Sequence, residues 1–291
     1  MRATLGFVSG MTLLAAIAGA EPTLAIRVTD DMGQPVPGAA VGVNLVLPGP
    51  TCQTFFLKAD AQGLAVQGLR EADLKGMLQL RFLVSTPGRL PTLRTFEPGQ
   101  FDPNQEHQVW LQQERGARCN VVLMDSAGGA LGPETTIRVL NIVAYQHLEA
   151  ARAAGFSMLH ARPQGPGVWS LPAFQTDEDF VILVEAPGTV DRFLAGPYSS
   201  ADLRGTLTIK VPQSGSLLAK VPAPATLTYA GGPETRFPVT FAGETSDTLT
   251  VFRQPNAPAG AYILEWGPEK ENNLRFSLKA GEDRVIERST P

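Results

Sequence analysis

The residues of this chain best suited to chemistry are histidines with an acidic neighbour. His147, Glu149 and His160 form the only grouping that brings two histidines and an acidic residue into a short span. Imidazole and carboxylate groups bind zinc, and a zinc ion can activate water for hydrolysis. On a helix, however, His147 and Glu149 stand two positions apart and point to different faces. The spacing therefore disfavours a metal centre. A metal-dependent hydrolase is for this reason only the second alternative to the function predicted below.

A second group of oxygen donors lies at Thr176, Asp177, Glu178 and Asp179. These side chains could bind calcium, but they lack the order of an EF-hand loop and run directly into a strand-like segment, so ordinary turn residues explain them better. No G-x-S-x-G sequence provides a nucleophile. We therefore expect no catalytic residues, no metal ligands and no cofactor.

Composition and charge narrow the function further. The net charge is −4 and the pI is near 5.5, which gives no clustered basic surface for nucleic acid. The 29 glycines and 24 prolines of the 291 residues are scattered between short apolar runs. That distribution favours many short strands joined by turns.

The first twenty residues resemble a secretory signal. Arg2 gives a positive start, an apolar segment follows, and Ala18-Gly19-Ala20 stands before Glu21 as a small-x-small cleavage sequence. No later stretch is long and apolar enough to cross a bilayer. We predict a signal peptide at residues 1–20 and an exported chain, periplasmic or extracellular, that does not span the membrane.

Export changes what the two cysteines imply. In an oxidising compartment Cys52 and Cys119 could form a disulfide that closes a loop of about 67 residues, worth about 4 kcal/mol in the chain-entropy model. The alternative is two separately buried thiols. Neither cysteine belongs to a CxxC pair, so zinc binding is the weaker hypothesis.

After residue 21 the chain alternates apolar and polar residues, as strands with one buried face do. The apolar positions are Leu24, Ile26 and Val28 in the first run and Val41, Val43, Leu45 and Leu47 in the second. Between them Asp30–Gly33 predicts a turn, and Pro35 and Pro37 exclude a central strand because proline offers no N–H to a ladder.

This region resembles the carboxypeptidase regulatory-like domain, a transthyretin-like β-sandwich. The family pattern is V-x-D-x-x-G-x-P-L-x-G-A-x-V, then T-D-x-x-G, then a strand ending in Gly and an aromatic residue. The matching residues are Val28, Asp30 or Asp31, Gly33, Pro35, Gly38, Ala39 and Val41, then Asp60 and Gly63, then Gly88. Lys58-Ala59, Leu64 and Arg89 depart from it. The resemblance implies a sandwich over residues 21–113, of a type that usually accompanies peptidases, receptors or surface proteins without being the catalyst.

The pattern recurs further along the chain. Asp125, Gly128 and Pro133 repeat the first turn, and "FVILVEAPGTV" from residue 180 restates "RFLVSTPGRL" from residue 81 at an offset of about 100. This predicts a second sandwich of similar type at residues 114–213. The remaining residues 214–291 carry six period-two runs and predict a third, smaller sandwich that leans on its neighbour.

The sequence thus predicts an all-β chain of three tandem antiparallel β-sandwich modules, transthyretin-like or immunoglobulin-like. One short helix at residues 145–159, with Gly155 as its stop, is inserted in the second module. We predict a non-catalytic structural or binding protein of the cell envelope, whose sandwich-end loops contact an envelope or surface protein or a polysaccharide.

A carbohydrate-binding protein is the first alternative to this prediction. It requires exposed aromatic rings in a row on one sheet face. Trp110, Trp169 and Trp266 each lie in a strand-like run, where a core or interface position is the more common role for tryptophan.

Overall fold

A computed structural model provides the architecture. It describes residues 22–48, 52–103, 105–114, 118–172, 179–231, 238–241 and 243–288, with backbone alone at residues 52, 142 and 143. The predicted signal peptide and the candidate calcium ligands Thr176, Asp177 and Glu178 lie outside the described residues. Among those described, no helix has the length and apolar character needed to cross a membrane.

The described residues form three tandem β-sandwiches, as predicted. The first contains β1 (Thr23–Asp30), β2 (Ala40–Val46), β3 (Cys52–Lys58), β4 (Leu64–Gly68), α1 (Glu71–Gly76), β5 (Gln79–Ser85), β6 (Thr92–Phe96) and β7 (Glu106–Leu111). The second contains β8 (Arg118–Met124), β9 (Thr136–Asn141), α2 (Ile142–Gln146), α3 (Leu148–Ala153), β10 (Arg162–Gly165), β11 (Val168–Pro172), β12 (Phe180–Ala186), β13 (Val190–Tyr198) and β14 (Thr206–Lys210). The third contains β15 (Ser214–Pro222), β16 (Ala225–Gly231), β17 (Val239–Phe241), β18 (Glu244–Thr245), β19 (Leu249–Pro258), β20 (Gly260–Trp266), β21 (Asn272–Leu278) and β22 (Asp283–Glu287).

The three sandwiches share one pairing scheme. In the first, the sheets are ordered β4-β1-β7 and β3-β2-β5-β6; in the second, β10-β11-β8-β14 and β13-β12-β9; in the third, β18-β19-β15-β22 and β17-β16-β20-β21. Each first strand pairs antiparallel with a middle strand and parallel with the last strand, as β1 does with β4 and β7. The other pairings are antiparallel, so the fold departs from a purely antiparallel sandwich at one ladder in each module.

The Asp-x-x-Gly turns have one geometry at three places. One carboxylate oxygen of Asp30, Asp60 or Asp125 accepts two backbone N–H groups at 2.7–2.9 Å, from the residues two and four positions later. The glycine three positions after each aspartate has φ between +74° and +87°, a conformation that glycine adopts without steric cost. The sequence prediction of repeated turns is confirmed at each.

The described residues of the three sandwiches form two hydrophobic clusters rather than three. Leu24, Ile26 and Val28 are fully buried in the first sandwich, which has a hydrophobic cluster of its own. The buried residues of the second and third sandwiches form one continuous cluster, which also takes in Ala40 and Leu83 of the first. The third sandwich therefore does lean on its neighbour.

The prediction of one helix over residues 145–159 is wrong in its extent. The Asn141 side chain accepts a hydrogen bond from the Ala144 N–H at 3.0 Å, so the helix starts earlier, and it breaks at His147 into α2 and α3. The predicted stop at Gly155 is correct: its φ is +67°, and the Phe156 N–H bonds the Ala151 carbonyl at 2.9 Å, as in a Schellman motif.

The first sandwich contains a further helix that the sequence analysis missed. In α1, Lys75 pairs with Glu71 at 2.7 Å, one helical turn apart. Such an exposed pair adds little to stability, and a six-residue segment is too short for its pattern to stand out from a loop.

Candidate functional site

The structure does not bring His147, Glu149 and His160 together as metal ligands. Among the described residues no group of three or more histidine, cysteine and acidic side chains could hold a metal ion. Glu149 instead pairs with Arg152 at 3.0 Å and with Arg192. This carboxylate is therefore engaged by two guanidinium groups.

His160 is the most isolated of the three. Its Nε2 atom is buried and has no hydrogen-bond partner among the described residues. Burial, with the charge of nearby Arg138 in addition, lowers the pKa of the His160 imidazole. The ring therefore stays neutral at pH 7, which suits a packed side chain.

Of the two cysteines, only Cys119 has a described side chain. It is fully buried, and its sulfur lies 3.4 Å from the Asn120 carbonyl oxygen. Burial raises the pKa of this thiol, so it is a poor nucleophile. The side chain of Cys52 lies outside the described residues, and the Cys52–Cys119 disulfide stays a prediction.

The tryptophans do not form a row of sugar-stacking rings. They lie in three different sandwiches, on β7, β11 and β20. Trp169 is buried, Trp266 packs against the shared core, and Trp110 is 55% exposed. Only Trp110 offers its ring to a partner.

The helical insert, defined here as residues 142–159 between β9 and β10, contacts both neighbouring sandwiches. At the first junction, with the first sandwich, the Phe156 ring meets the Phe56 ring on β3 at a centroid distance of 5.1 Å. Gly42 on β2 lies under the same ring, and a Cβ atom there would be 3.0 Å from Phe156. Glycine at this position lets the two modules approach closely.

Polar contacts complete the first junction. The Ser85 hydroxyl, at the end of β5, donates to the Ser157 carbonyl at 2.6 Å. Arg162 at the start of β10 pairs with Glu114 at 3.2 Å. Because Glu114 stands in the linker between β7 and β8, the sandwiches themselves are joined, among the described residues, by one aromatic contact and one hydrogen bond. Ala40 and Leu83 of the first sandwich also join the shared core, while its other buried residues keep a cluster of their own.

At the second junction, between the second and third sandwiches, the hydrophobic core is continuous. The Asp191 carboxylate on β13 accepts two hydrogen bonds from Asn256 on β19, from the backbone N–H and the side-chain amide, both at 3.0 Å. The hydroxyl of Tyr145 in the helical insert donates to the Pro238 carbonyl. The helical insert therefore touches both neighbours, a role that its composition alone did not reveal.

Exposed apolar side chains are concentrated on the first sandwich. Of the six large ones among the described residues, five belong to it and the sixth, Val285, belongs to the third; the five are Met32, Val66, Leu78, Leu93 and Trp110. Val66 is opposite Ala25, and Trp110 is opposite Thr29, on the shared neighbour β1. Because Ala25 and Thr29 are four positions apart, Val66 and Trp110 project from one face of the sheet.

Between these two side chains lies an ion pair. Arg27 on β1 donates two hydrogen bonds to Glu106 on β7, at 2.5 and 2.6 Å, with both side chains about one-third exposed. We call this face, formed by Ala25, Arg27, Val66, Glu106 and Trp110, the outer face of the first sandwich. It combines apolar groups with a paired charge, as protein-binding surfaces do.

Comparisons with known proteins give no family. No family model matches the chain, and no curated protein matches it either. Among solved structures, the chain is 15% identical to the Bacillus anthracis TIE protein (TM-score 0.22), covering 92% of this chain and half of that one.

Two pilins are also similar. The major pilin subunit BcpA of Bacillus cereus is 10% identical (TM-score 0.24; 92% of this chain, 99% of that one). The shaft pilin SpaA from Lactobacillus rhamnosus GG is 8% identical (TM-score 0.25; 66% of this chain, 97% of that one). These likenesses are too low to carry a role from those proteins to this chain.

Proposed function

We propose that this is an exported, non-catalytic binding and structural protein of the cell envelope, with the outer face of the first sandwich as its contact surface for a protein partner. The observation that carries the proposal is that two of the five exposed apolar side chains of the first sandwich, Val66 and Trp110, project from this one face. Clustered apolar groups on a folded surface mark interaction sites, whereas single ones need no explanation.

The engagement of Glu149 supports a non-catalytic role. This residue was the acidic member of the histidine grouping, and a general base must be able to accept a proton from substrate. Both of its side-chain oxygens instead pair with arginines, Oε2 with Arg152 and Oε1 with Arg192, which makes the side chain a link between α3 and β13.

We also propose module boundaries at residues 21–113, 114–213 and 214–291, with the first two modules related to the carboxypeptidase regulatory-like family. In support, none of the six sheets formed by the described residues combines strands from two of these ranges, and the Asp30 and Asp125 turns share one geometry. Secretion to the periplasm or cell surface follows from the predicted signal peptide.

The test is a pair of matched substitutions on exposed strand valines. Val66→Ser alters the outer face of the first sandwich, and Val285→Ser alters an exposed valine of the third sandwich as the control. With immobilised protein and envelope extract, quantitative mass spectrometry should show a protein whose recovery falls with Val66→Ser and with Trp110→Ala but not with Val285→Ser. Equal recovery of every protein by all four forms would refute the outer face as the binding site.

A further inference from the structure

The loop between β6 and β7 contains the one Asp–Pro bond of the sequence, Asp102–Pro103. Asp102 is exposed and Pro103 is half-buried. An Asp–Pro bond is chemically special because the aspartate carboxyl lies within reach of its own main-chain carbonyl carbon and attack closes a five-membered ring. Intramolecular attack of this kind gains greatly from proximity, and a carboxyl group is a competent nucleophile when it is positioned.

The scissile carbonyl is held by two donors. The Asp102 carbonyl oxygen accepts a hydrogen bond from the Gln105 backbone N–H at 3.2 Å and lies 3.1 Å from the Nε2 atom of His107. Since a carbonyl oxygen only accepts, the ring must carry its proton on Nε2. A backbone N–H and an imidazole N–H converging on one carbonyl oxygen form the arrangement that stabilises a tetrahedral oxyanion.

The imidazole is fixed in this position by aromatic packing. The His107 ring stacks on Phe101 with centroids 4.9 Å apart and an interplanar angle of 21°. It also meets the edge of Phe96 at 5.0 Å. A donor held by two rings loses little freedom when the oxyanion forms, which is the condition for an effective oxyanion donor.

We propose that the protein cleaves its own chain at Asp102–Pro103, with His107 and the Gln105 N–H as the oxyanion donors. A side-chain oxygen of the Asp102 carboxyl group attacks the Asp102 main-chain carbonyl carbon. The carbon–nitrogen bond to Pro103 then breaks, and the prolyl nitrogen takes a proton from water and leaves as a secondary amine. Water opens the resulting cyclic anhydride, so that one fragment ends in Asp102 with two carboxyl groups and the other begins with Pro103.

The nicked protein would stay assembled. Strand β7 follows the cut and lies parallel to β1, from Ala25 opposite Glu106 to Asp30 opposite Leu111. The Arg27–Glu106 pair joins the two fragments directly. Cleavage therefore converts the link between the first sandwich and the rest of the chain from covalent to non-covalent without unfolding it. This inference does not depend on the proposed binding function.

The experiment follows the intact mass of the purified full chain over days at neutral pH, with denaturation only at analysis. We expect two fragments, the second starting Pro103-Asn104-Gln105, with masses that sum to the intact mass plus one water. The same chain incubated in denaturant should cleave at least about 100-fold more slowly, because both donors are lost. Asp102→Ala and Pro103→Ala should stay intact.

The decisive variant is His107→Phe, which keeps an aromatic ring against Phe101 but removes the donor. Removal of one oxyanion donor predicts cleavage about 100-fold slower, while His147→Phe, in the second sandwich, should cleave at the wild-type rate. Circular dichroism of each variant establishes that it is folded. An intact wild-type chain after days, equal rates in folded and denatured protein, or wild-type cleavage by folded His107→Phe would each overturn the proposal.

Discussion

The two junctions of this molecule connect neighbouring sandwiches in different ways. At the first junction the Phe156 ring and the Ser85–Ser157 hydrogen bond connect two sandwiches, and most of the buried residues of the first sandwich form a cluster of their own. At the second junction the core itself continues from one sandwich into the next. The difference indicates that the first sandwich can unfold by itself, whereas the second and third should unfold together.

Among substitutions that test this difference between the junctions, Phe156→Ala is expected to cause the largest loss of stability. The side chain is 1% exposed within the shared core, so its loss should cost about 3–5 kcal/mol in the joint unfolding of the second and third sandwiches. Phe56→Ala, on the other side of the ring pair and only partly buried, should cost less. Chemical denaturation of both variants measures this, and an equal loss for the two would contradict the asymmetry.

A smaller effect is expected at the second junction from Asp191→Ala. It leaves two donors of Asn256 without their acceptor, which should cost about 1–3 kcal/mol and separate the third sandwich's transition from the second's. Asp202→Ala serves as control, because the Asp202 carboxylate bonds Ser199 within its own turn. Hydrogen exchange on β19 should rise in the first variant and stay unchanged in the second.

At the first junction, Gly42→Ala places a methyl group 3.0 Å from a carbon of the Phe156 ring. Overpacking of this kind should cost about 1–3 kcal/mol, near the lower end because the ring edge can shift. Gly132→Ala has nothing within 4 Å and should change stability by less than about 0.5 kcal/mol. Thermal unfolding of the pair tests whether close approach matters, and similar melting temperatures would argue against it.

The smallest expected effect is a pH dependence of stability, which arises from His160 in the second sandwich. The pKa of His160 is lowered in the folded state, so as pH falls below about 6.5 the unfolded chain takes up a proton that the folded chain does not. Stability should therefore fall with decreasing pH through this range. His160→Gln should flatten that decline relative to wild type while the two differ by a constant amount above pH 8, and parallel curves from pH 8 to pH 5 would exclude the effect.

Much of the fold followed from the sequence because alternation and turn chemistry are local. The runs at Leu24 and Val41 fixed two strand faces, and the Asp-x-x-Gly spacing located turns whose hydrogen bonds the structure shows at Asp30, Asp60 and Asp125. Trp110 alternates with its buried neighbours Val109 and Leu111 and therefore faces the opposite side of β7.

The partners of these elements could not be predicted in the same way. Alternation of apolar and polar residues indicates which face of a strand is buried, but it does not indicate which strand lies beside it. The parallel ladder of β1 with β7 was therefore missed. The junction role of Phe156 was missed for a related reason, because an apolar residue after a helix stop signals burial without indicating against which module. His107 gave no signal in sequence, since its relation to Asp102 depends on how the loop turns back.

The parallel ladder in each sandwich has a mechanical consequence. Because the first and last strands lie side by side and point the same way, tension that pulls the two ends of the chain apart slides one strand along the other. All hydrogen bonds of the ladder then bear load at once, rather than opening one after another as they would in a hairpin peeled from its end. Each sandwich is therefore connected in the orientation that best resists being pulled apart lengthwise.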